Sequence, residues 1–170
     1  WQGTGTQPGA MIPDDFLEQF FNTLRNNFSV TIVDFPMLSA DEATQVLPML
    51  DLIIVVSSSS DLLALRSART LLDMIPYEIQ DRVQLVINRA DETDMISRED
   101  FEYNLQRKVC GVINNESRIA GEAINMGAPI VLMQPQSEIA ADLFELAQVL
   151  FQLPVRAGAD GRKRRFRLFG

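Results

Sequence analysis

The uninterrupted apolar run LIIVV at residues 52–56 constrains the fold more than any other feature of the sequence. A strand with one face in water alternates apolar and polar residues, and this run does not alternate. We therefore expect a strand that is buried on both faces. Such strands are typical of parallel sheets covered by helices, so the run predicts an α/β domain.

The flanking sequence repeats the same alternation of elements. Amphipathic stretches predict helices at residues 13–27, 40–50, 61–75, 116–126 and 137–153, and residues 98–108 are predicted to form a polar helix. Short apolar runs predict strands at residues 28–34, 52–56, 83–87, 109–113 and 129–133. Asp61 or Ser60 is suited to begin the third helix, and Gly127 to end the fifth. The predicted fold class is α/β, a parallel sheet with helices on both faces in three layers.

Composition limits the chemistry that the chain can perform. The 170 residues, 46% of them hydrophobic, fit one domain with a buried core. No stretch approaches the roughly 18 apolar residues of a membrane-spanning helix. With one cysteine and no histidine, an internal disulfide, a histidine-based triad and a histidine-containing zinc site are excluded. Cys110 is interpreted as a small core residue.

Charge is distributed unevenly along the chain. The net charge is −8, yet residues 162–170 carry five of the 15 basic side chains. The acidic remainder should repel nucleic acid, so we expect no nucleic-acid binding by the folded domain. The basic end is interleaved with apolar residues, which favours contact with an anionic membrane or a partner, although a disordered tail remains the alternative. The residues assigned to that contact are Arg164, Arg165, Phe166, Arg167, Leu168 and Phe169.

Ligands of parallel α/β sheets bind where the strands end, at the carboxyl edge of the sheet. The segments that follow the predicted strands are residues 34–36, 57–61, 88–91, 114–116 and 134–135. They contain carboxylate, hydroxyl and amide side chains. The functional site is therefore expected among these segments. The simpler interpretation of each is a turn or the start of a helix.

Two predicted strands end in distinctive motifs, TIVDFP at residues 31–36 and VQLVINRAD at 83–91. These motifs resemble the Walker B and switch II element and the strand ending in Asn-Arg of the MinD/ParA-type P-loop ATPases of the SIMIBI class. VCGVINNESRIAGEAINMGAPIV at 109–131 resembles the following loop, helix and strand start. SSSSDLLALRSARTLLDMI at 57–75 is similar to the CpaE/TadZ pilus-assembly branch. The resemblance runs from about Pro13 to Leu153.

The resemblance implies a nucleotide site with ATP and Mg²⁺ as cofactors. Asp34 takes the catalytic and metal position and acts on Mg²⁺ through water, and Pro36 belongs to the loop that senses the γ-phosphate. Asn88 hydrogen-bonds adenine, with Arg89 beside it. The family also implies a homodimer across the nucleotide. Its output is to position a type IV (Flp/Tad) pilus or secretion assembly, so the protein is expected in the cytoplasm or peripherally at the bacterial inner membrane.

The sequence departs from the family at the Walker A loop, which needs G-x-x-x-x-G-K-[ST]. The two lysines, Lys108 and Lys163, do not follow glycine. The family carries this loop upstream of Asp-x-Pro, so the chain is interpreted as a C-terminal part. The predicted divisions of the chain are a linker at residues 1–10, the C-terminal part of an ATPase domain at 11–154 and a basic tail at 155–170. Without the strand that carries the Walker A loop, the sheet is expected to have an exposed hydrophobic edge. Asn114 also stands where the family usually has Pro.

Two alternatives remain open at this stage. One is a non-catalytic scaffold or localisation module that has the same fold and no phosphate loop. The other is a different member of the superfamily, such as a regulator of flagellar number or cellulose synthesis. In either case the segment alone is not expected to hydrolyse ATP.

Overall fold

The computed structural model describes residues 13–35, 40–91 and 93–151, so the predicted linker 1–10 and basic tail 155–170 lie outside the described residues. Helices and strands alternate as the sequence predicts. In chain order the elements are α1 (Asp14–Asn27), α2 (Ala40–Val46), β1 (Ile53–Ser57), α3 (Leu62–Met74), β2 (Val83–Ala90), α4 (Arg98–Leu105), β3 (Val109–Asn114), α5 (Ser117–Met126), α6 (Ile130–Met133) and α7 (Glu138–Phe151). Two 3₁₀ turns, Leu47–Met49 and Tyr77–Arg82, precede β1 and β2.

The described part of the chain forms one parallel sheet of three strands in the order β1-β2-β3. The register pairs Ile53 with Val83 at the start of β1 and Ser57 with Ile87 at its end. Because every strand is followed by a helix that returns the chain to the same edge, all three strands point in one direction. The predicted α/β class is confirmed.

Helices cover both faces of this sheet, which gives the three predicted layers. On one face a large apolar cluster joins the strands to α2, α3 and α4, and its strand members are Ile53, Val55, Val83, Leu85, Ile87 and Val109. On the other face α5 and α7 pack over β2 and β3, through Val86, Ile113, Ile119 and Ile139. Cys110 packs against this second cluster, as expected for a small core residue.

The predicted helix boundaries follow from local hydrogen bonds. Asp61 begins α3, because its Oδ1 accepts the backbone N–H of Ala64 at 2.8 Å. Gly127 ends α5 with φ of 61°, a left-handed conformation that costs glycine little. The sequence predicts Asp61 or Ser60 for the first of these positions and Gly127 for the second, and the structure selects Asp61.

The predicted strand at residues 28–34 is wrong. The segment forms no strand and pairs with none of the three described strands. Its apolar side chains face water on both sides, with Val30 and Ile32 55% and 84% exposed. A β-rich composition predicts a strand only where a neighbour offers backbone partners, and no described strand lies beside this segment. Phe35, the next residue, packs against the cluster formed by α1 and the last residue of α2.

Two further expectations need correction. The run at residues 52–56 is buried on one face only, since Ile53 and Val55 are buried whereas Ile54 and Val56 are 40% and 57% exposed. The apolar run at residues 129–133 forms the single helical turn α6 instead of a strand. The N–H groups of Met133 and Gln134 bond the carbonyls of Pro129 and Ile130. An apolar run this short does not distinguish strand from helix.

Arginine side chains bind backbone carbonyls at the amino edge of the sheet, where the strands begin. The contacts run from Arg82 to Pro48 and Leu50 before β1, from Arg107 to Gln80 and Val83 at β2, and from Arg98 to Val109 at β3, over 2.7–3.1 Å. A carbonyl that lacks a helix or sheet partner is costly to bury. These arginines therefore fix the path of the chain into each strand.

Replacing Gly111 should test the packing of α7 on β3. An alanine Cβ at Gly111 would lie 2.7 Å from Leu146 Cδ1, so the leucine must move out of its present position. We expect Gly111→Ala to lower the free energy of unfolding by about 1–3 kcal/mol. Gly121→Ala is the matched control, since its Cβ meets nothing within 4 Å, and it should leave stability unchanged or higher. Urea denaturation of both variants measures the difference. Equal midpoints would contradict the close packing of Leu146 on Gly111.

Candidate functional site

The carboxyl end of β2 contains a β-bulge. Ile87 pairs with Val112 and Ala90 with Asn114, so Asn88 and Arg89 together occupy the place opposite the single residue Ile113. Both side chains of the bulge are exposed. Bulges redirect side chains and are frequent beside functional sites. The predicted pair Asn88 and Arg89 is therefore presented to solvent at the carboxyl edge of the sheet.

The backbone of the bulge is unusual at Arg89, whose φ is 57°. Side chains other than glycine rarely adopt this left-handed conformation, and surrounding contacts must hold them there. Within the bulge, the N–H of Arg89 donates to Oδ1 of Asn88 at 3.0 Å. An amide oxygen has two lone pairs, so this bond leaves one available for a ligand.

A polar network surrounds the loop that follows the bulge. Asp94 Oδ2 accepts the hydroxyl of Ser59, which follows β1, and the N–H of Asp91. Asp91 Oδ1 accepts both the N–H and the hydroxyl of Thr93. The N–H of Asn115, after β3, donates to the carbonyl of Ala90 at 2.9 Å. The ends of all three strands are thus connected.

The network lowers the pKa of Asp91. The backbone N–H of Thr93 lowers the pKa of Asp91 most, the hydroxyl of Thr93 contributes next, and the Asn115 side chain contributes less than either. Donors to a carboxylate stabilise its charged form. The edge beside Asn88 therefore carries a negative charge at neutral pH.

Asn114 occupies the position where the sequence departs from the family's usual proline. Its backbone N–H and its side-chain Nδ2 both donate to Asp142 Oδ2 at 2.9 Å, which joins the end of β3 to α7. Proline has no N–H and could not make the first bond. Nearby, Glu116 Oε2 accepts the N–H of Ile139 near the start of α7. Residues 114 and 116 thus contribute to the attachment of α7.

The remaining predicted site residues are not brought to this edge by a described strand. Asp34 is exposed and is the last residue of the unpaired segment at residues 28–34. Residues 134 and 135 follow the turn α6 instead of a strand, so the expectation that they lie at the end of a strand is wrong. Pro36 and the predicted membrane or partner residues Arg164, Arg165, Phe166, Arg167, Leu168 and Phe169 lie outside the described residues.

The described side chains could bind Mg²⁺ only together with ligands from another molecule, such as the phosphates of a nucleotide. Within residues 13–35, 40–91 and 93–151 no cluster of three or more acidic or cysteine side chains could hold a metal ion. Mg²⁺ is, however, commonly bound by one or two carboxylates together with the phosphates of a nucleotide. Asp34, an exposed carboxylate, is compatible with this shared type of magnesium site. It is not compatible with a site in which protein side chains supply all the ligands.

The sequence indicates the bulge residues but not Ser59 and Asp94, which hold the loop after the bulge, nor Asp142, the acceptor of Asn114. Nothing in the sequence distinguishes Ser59 from the other three of four consecutive serines. Asp94 had one local signal, because Asp91-x-Thr93 favours a tight turn that brings the next residue back. The partner of Asn114 lies 28 residues further along the chain, a separation that no local pattern reveals.

Comparison with solved structures identifies the fold. A ParA family ATPase from Chlorobium tepidum matches with a TM-score of 0.69 and 21% identity, over 85% of this chain and 61% of that one. MinD in the Aquifex aeolicus MinC:MinD cell division complex matches with a TM-score of 0.67 and 17% identity, over 87% and 61%. MinD complexed with Mg-ADP from Pyrococcus horikoshii matches with a TM-score of 0.64 and 20% identity, over 80% and 56%.

The chain has the fold of the ParA and MinD ATPases. It spans about three fifths of the length of these structures. No protein-family model and no curated protein matches the sequence. Among the described helices, none is both long and apolar enough to cross a membrane.

Removing the acceptor of Asn114 should loosen the attachment of α7 to this ParA/MinD-type sheet. In Asp142→Ala the N–H of Asn114 loses its described partner, so we expect the free energy of unfolding to fall by about 1–3 kcal/mol. Glu145→Ala, an exposed residue of the same helix, should change it by less than about 0.5 kcal/mol. Thermal and urea denaturation of both variants test this expectation, which equal stabilities would contradict.

Proposed function

We propose that this chain belongs to an ATPase of the MinD/ParA type, in which it forms the part that binds the adenine base of ATP. The observation that carries the proposal is the bulge at the end of β2. It exposes Asn88 and Arg89 at the carboxyl edge of a parallel sheet that has the ParA/MinD fold. In open α/β sheets this edge is where ligands bind.

The chemistry of Asn88 is suited to adenine. An amide offers one donor and one acceptor side by side, and the Watson–Crick edge of adenine offers the complementary pair, the N6 amino group and N1. Asn88 is exposed, and its oxygen retains one lone pair after bonding Arg89. The positive side chain of Arg89, also exposed, adds favourable charge for a nucleotide.

Asp34 is proposed as the residue that holds Mg²⁺ through water, with Pro36 in the adjoining loop. The ion would neutralise phosphate charge on the bound nucleotide. One exposed carboxylate is compatible with that arrangement, which relies on phosphate oxygens for the other ligands. The 170 residues contain no G-x-x-x-x-G-K-[ST] sequence, so ATP hydrolysis is proposed for the intact protein and not for this stretch alone.

The proposed output is spatial: a homodimer that positions a Flp/Tad-type pilus or secretion assembly at the inner membrane. The support is the resemblance of residues 57–75 to the CpaE/TadZ branch. In the structure these residues form the loop after β1 and helix α3, on which Arg66 and Arg69 are exposed. The MinD of Aquifex aeolicus was solved in complex with a partner protein, MinC. A partner surface on this fold is therefore a reasonable proposal.

Asn88→Ala tests the assignment of the adenine contact. In the full-length protein we expect binding of MgATP to weaken by about 5- to 30-fold, since a ligand hydrogen bond of about 1–2 kcal/mol is lost. Asn125→Ala is the matched control, because Asn125 is an exposed asparagine on α5, remote in sequence from the bulge. Isothermal titration calorimetry with MgATP measures both. Equal affinity in wild type and Asn88→Ala would remove Asn88 from the site.

Asp34→Ala separates catalysis from binding. We expect Mg²⁺-dependent hydrolysis of ATP by the full-length protein to fall to background, while Asp81→Ala, an exposed carboxylate before β2, keeps wild-type turnover. Release of phosphate at saturating ATP is the measurement. Unchanged turnover in Asp34→Ala would contradict the role of Asp34. Wild-type protein that binds ATP without hydrolysing it would favour the non-catalytic localisation module.

A further inference from the structure

Ser59 differs from the serines on either side of it. Among the described residues it is the one polar side chain that is fully buried, with 4% of its surface exposed. Ser58 is half-buried and Ser60 is exposed. A buried hydroxyl requires a hydrogen-bond partner, and the partner of Ser59 lies 35 residues away in the loop after β2.

Two hydrogen bonds join Ser59 to that loop. Its hydroxyl donates to Asp94 Oδ2 at 2.5 Å, and its carbonyl accepts the N–H of Ile96 at 3.3 Å. The same oxygen of Asp94 accepts the N–H of Asp91 at 3.1 Å. A single carboxylate oxygen therefore connects the end of β1 to the residue directly after β2.

These bonds fix the backbone on one side of the bulge. Ala90 is held by β3, through its pairing with Asn114 and the N–H of Asn115. Asp91 is held by Asp94. Between Ile87 and Ala90 the chain of β2 has two residues, Asn88 and Arg89, where β3 has only one. Arg89 adopts its left-handed conformation at this point. A conformation of this kind persists only where its surroundings impose it.

We propose that Asp94, held by the buried Ser59, is a positioning residue for nucleotide recognition, and that it fixes the bulge that presents Asn88 to the base. The proposal rests on the proposed function of the same site. Asp94 need not touch the nucleotide. It removes alternative conformations of the loop before binding, and a preorganised contact retains more of its binding free energy.

Base selectivity is the readout that distinguishes positioning from general stability. In the full-length protein we expect Ser59→Ala and Asp94→Ala to reduce the preference for MgATP over MgGTP by about fivefold, which is close to the contribution of one hydrogen bond. Asp94→Asn keeps an oxygen that can accept from Ser59 and Asp91, so it should retain most of the preference. Ser60→Ala, one position away and exposed, is the matched control and should behave as wild type.

Hydrogen exchange tests the hydrogen bonds that join Ser59, Asp94 and Asp91. In Asp94→Ala and Ser59→Ala we expect the amide of Asp91 to exchange more than about tenfold faster than in wild type, since its acceptor is lost or displaced. The amides of Leu85, Val86 and Ile87 serve as the internal reference for intact folding. Unchanged exchange at Asp91 in both variants would overturn the proposed connection. If Asp94→Ala does not fold, Ser59→Ala and Asp94→Asn still test the positioning role of Asp94.

The outcomes separate the two proposals. If the wild-type protein binds no ATP, the proposed function fails, and the positioning role fails with it. If the wild type binds ATP with a preference over GTP, and both alanine variants keep that preference, only the positioning role fails. A reduced preference in the alanine variants with normal behaviour of Asp94→Asn and Ser60→Ala supports the positioning role.

Discussion

The pairing of β2 on both of its sides is the constraint on which the described structure depends. β2 lies between β1 and β3, and its central residues Leu85, Val86 and Ile87 are almost fully buried. Both apolar clusters share this strand, one on each of its faces. Leu85, Val86 and Ile87 are paired with both neighbouring strands, and the register with β3 shifts once between Leu85 and Val86 and again between Ile87 and Ala90. The second of these shifts is the bulge at Asn88 and Arg89.

The two edges of the sheet are held by different chemistry. At the amino edge, arginines bind the carbonyls of the incoming chain, and Glu102 accepts from Arg98, Lys108 and the N–H of Val109. Burial opposes ionisation of Glu102, but these donors together lower its pKa. At the carboxyl edge, Asp94 binds N–H and O–H donors of the outgoing chain. Arginine donors hold backbone carbonyls at the amino edge, whereas carboxylates accept N–H donors at both edges.

The sequence was sufficient for the elements that local rules determine. Helical spacing located α3 and α7, Asp61 and Gly127 marked helix ends, and the Asn-Arg pair located the exposed end of β2. The failures concern pairing. Residues 28–34 have strand composition without a described neighbour, and residues 129–133 form a helical turn from an equally apolar run. The bulge depends on register with β3, which no property of residues 83–91 reveals alone.

Under the proposed function, the bulge also restricts the orientation in which the exposed amide of Asn88 can meet a base. An asparagine side chain that is free to turn over offers its oxygen and nitrogen in either order. Here the N–H of Arg89 requires the oxygen of Asn88 on its own side, so Nδ2 is directed elsewhere as a donor. Under the proposed function, that fixed order would favour a base whose acceptor and amino group occur in the matching order.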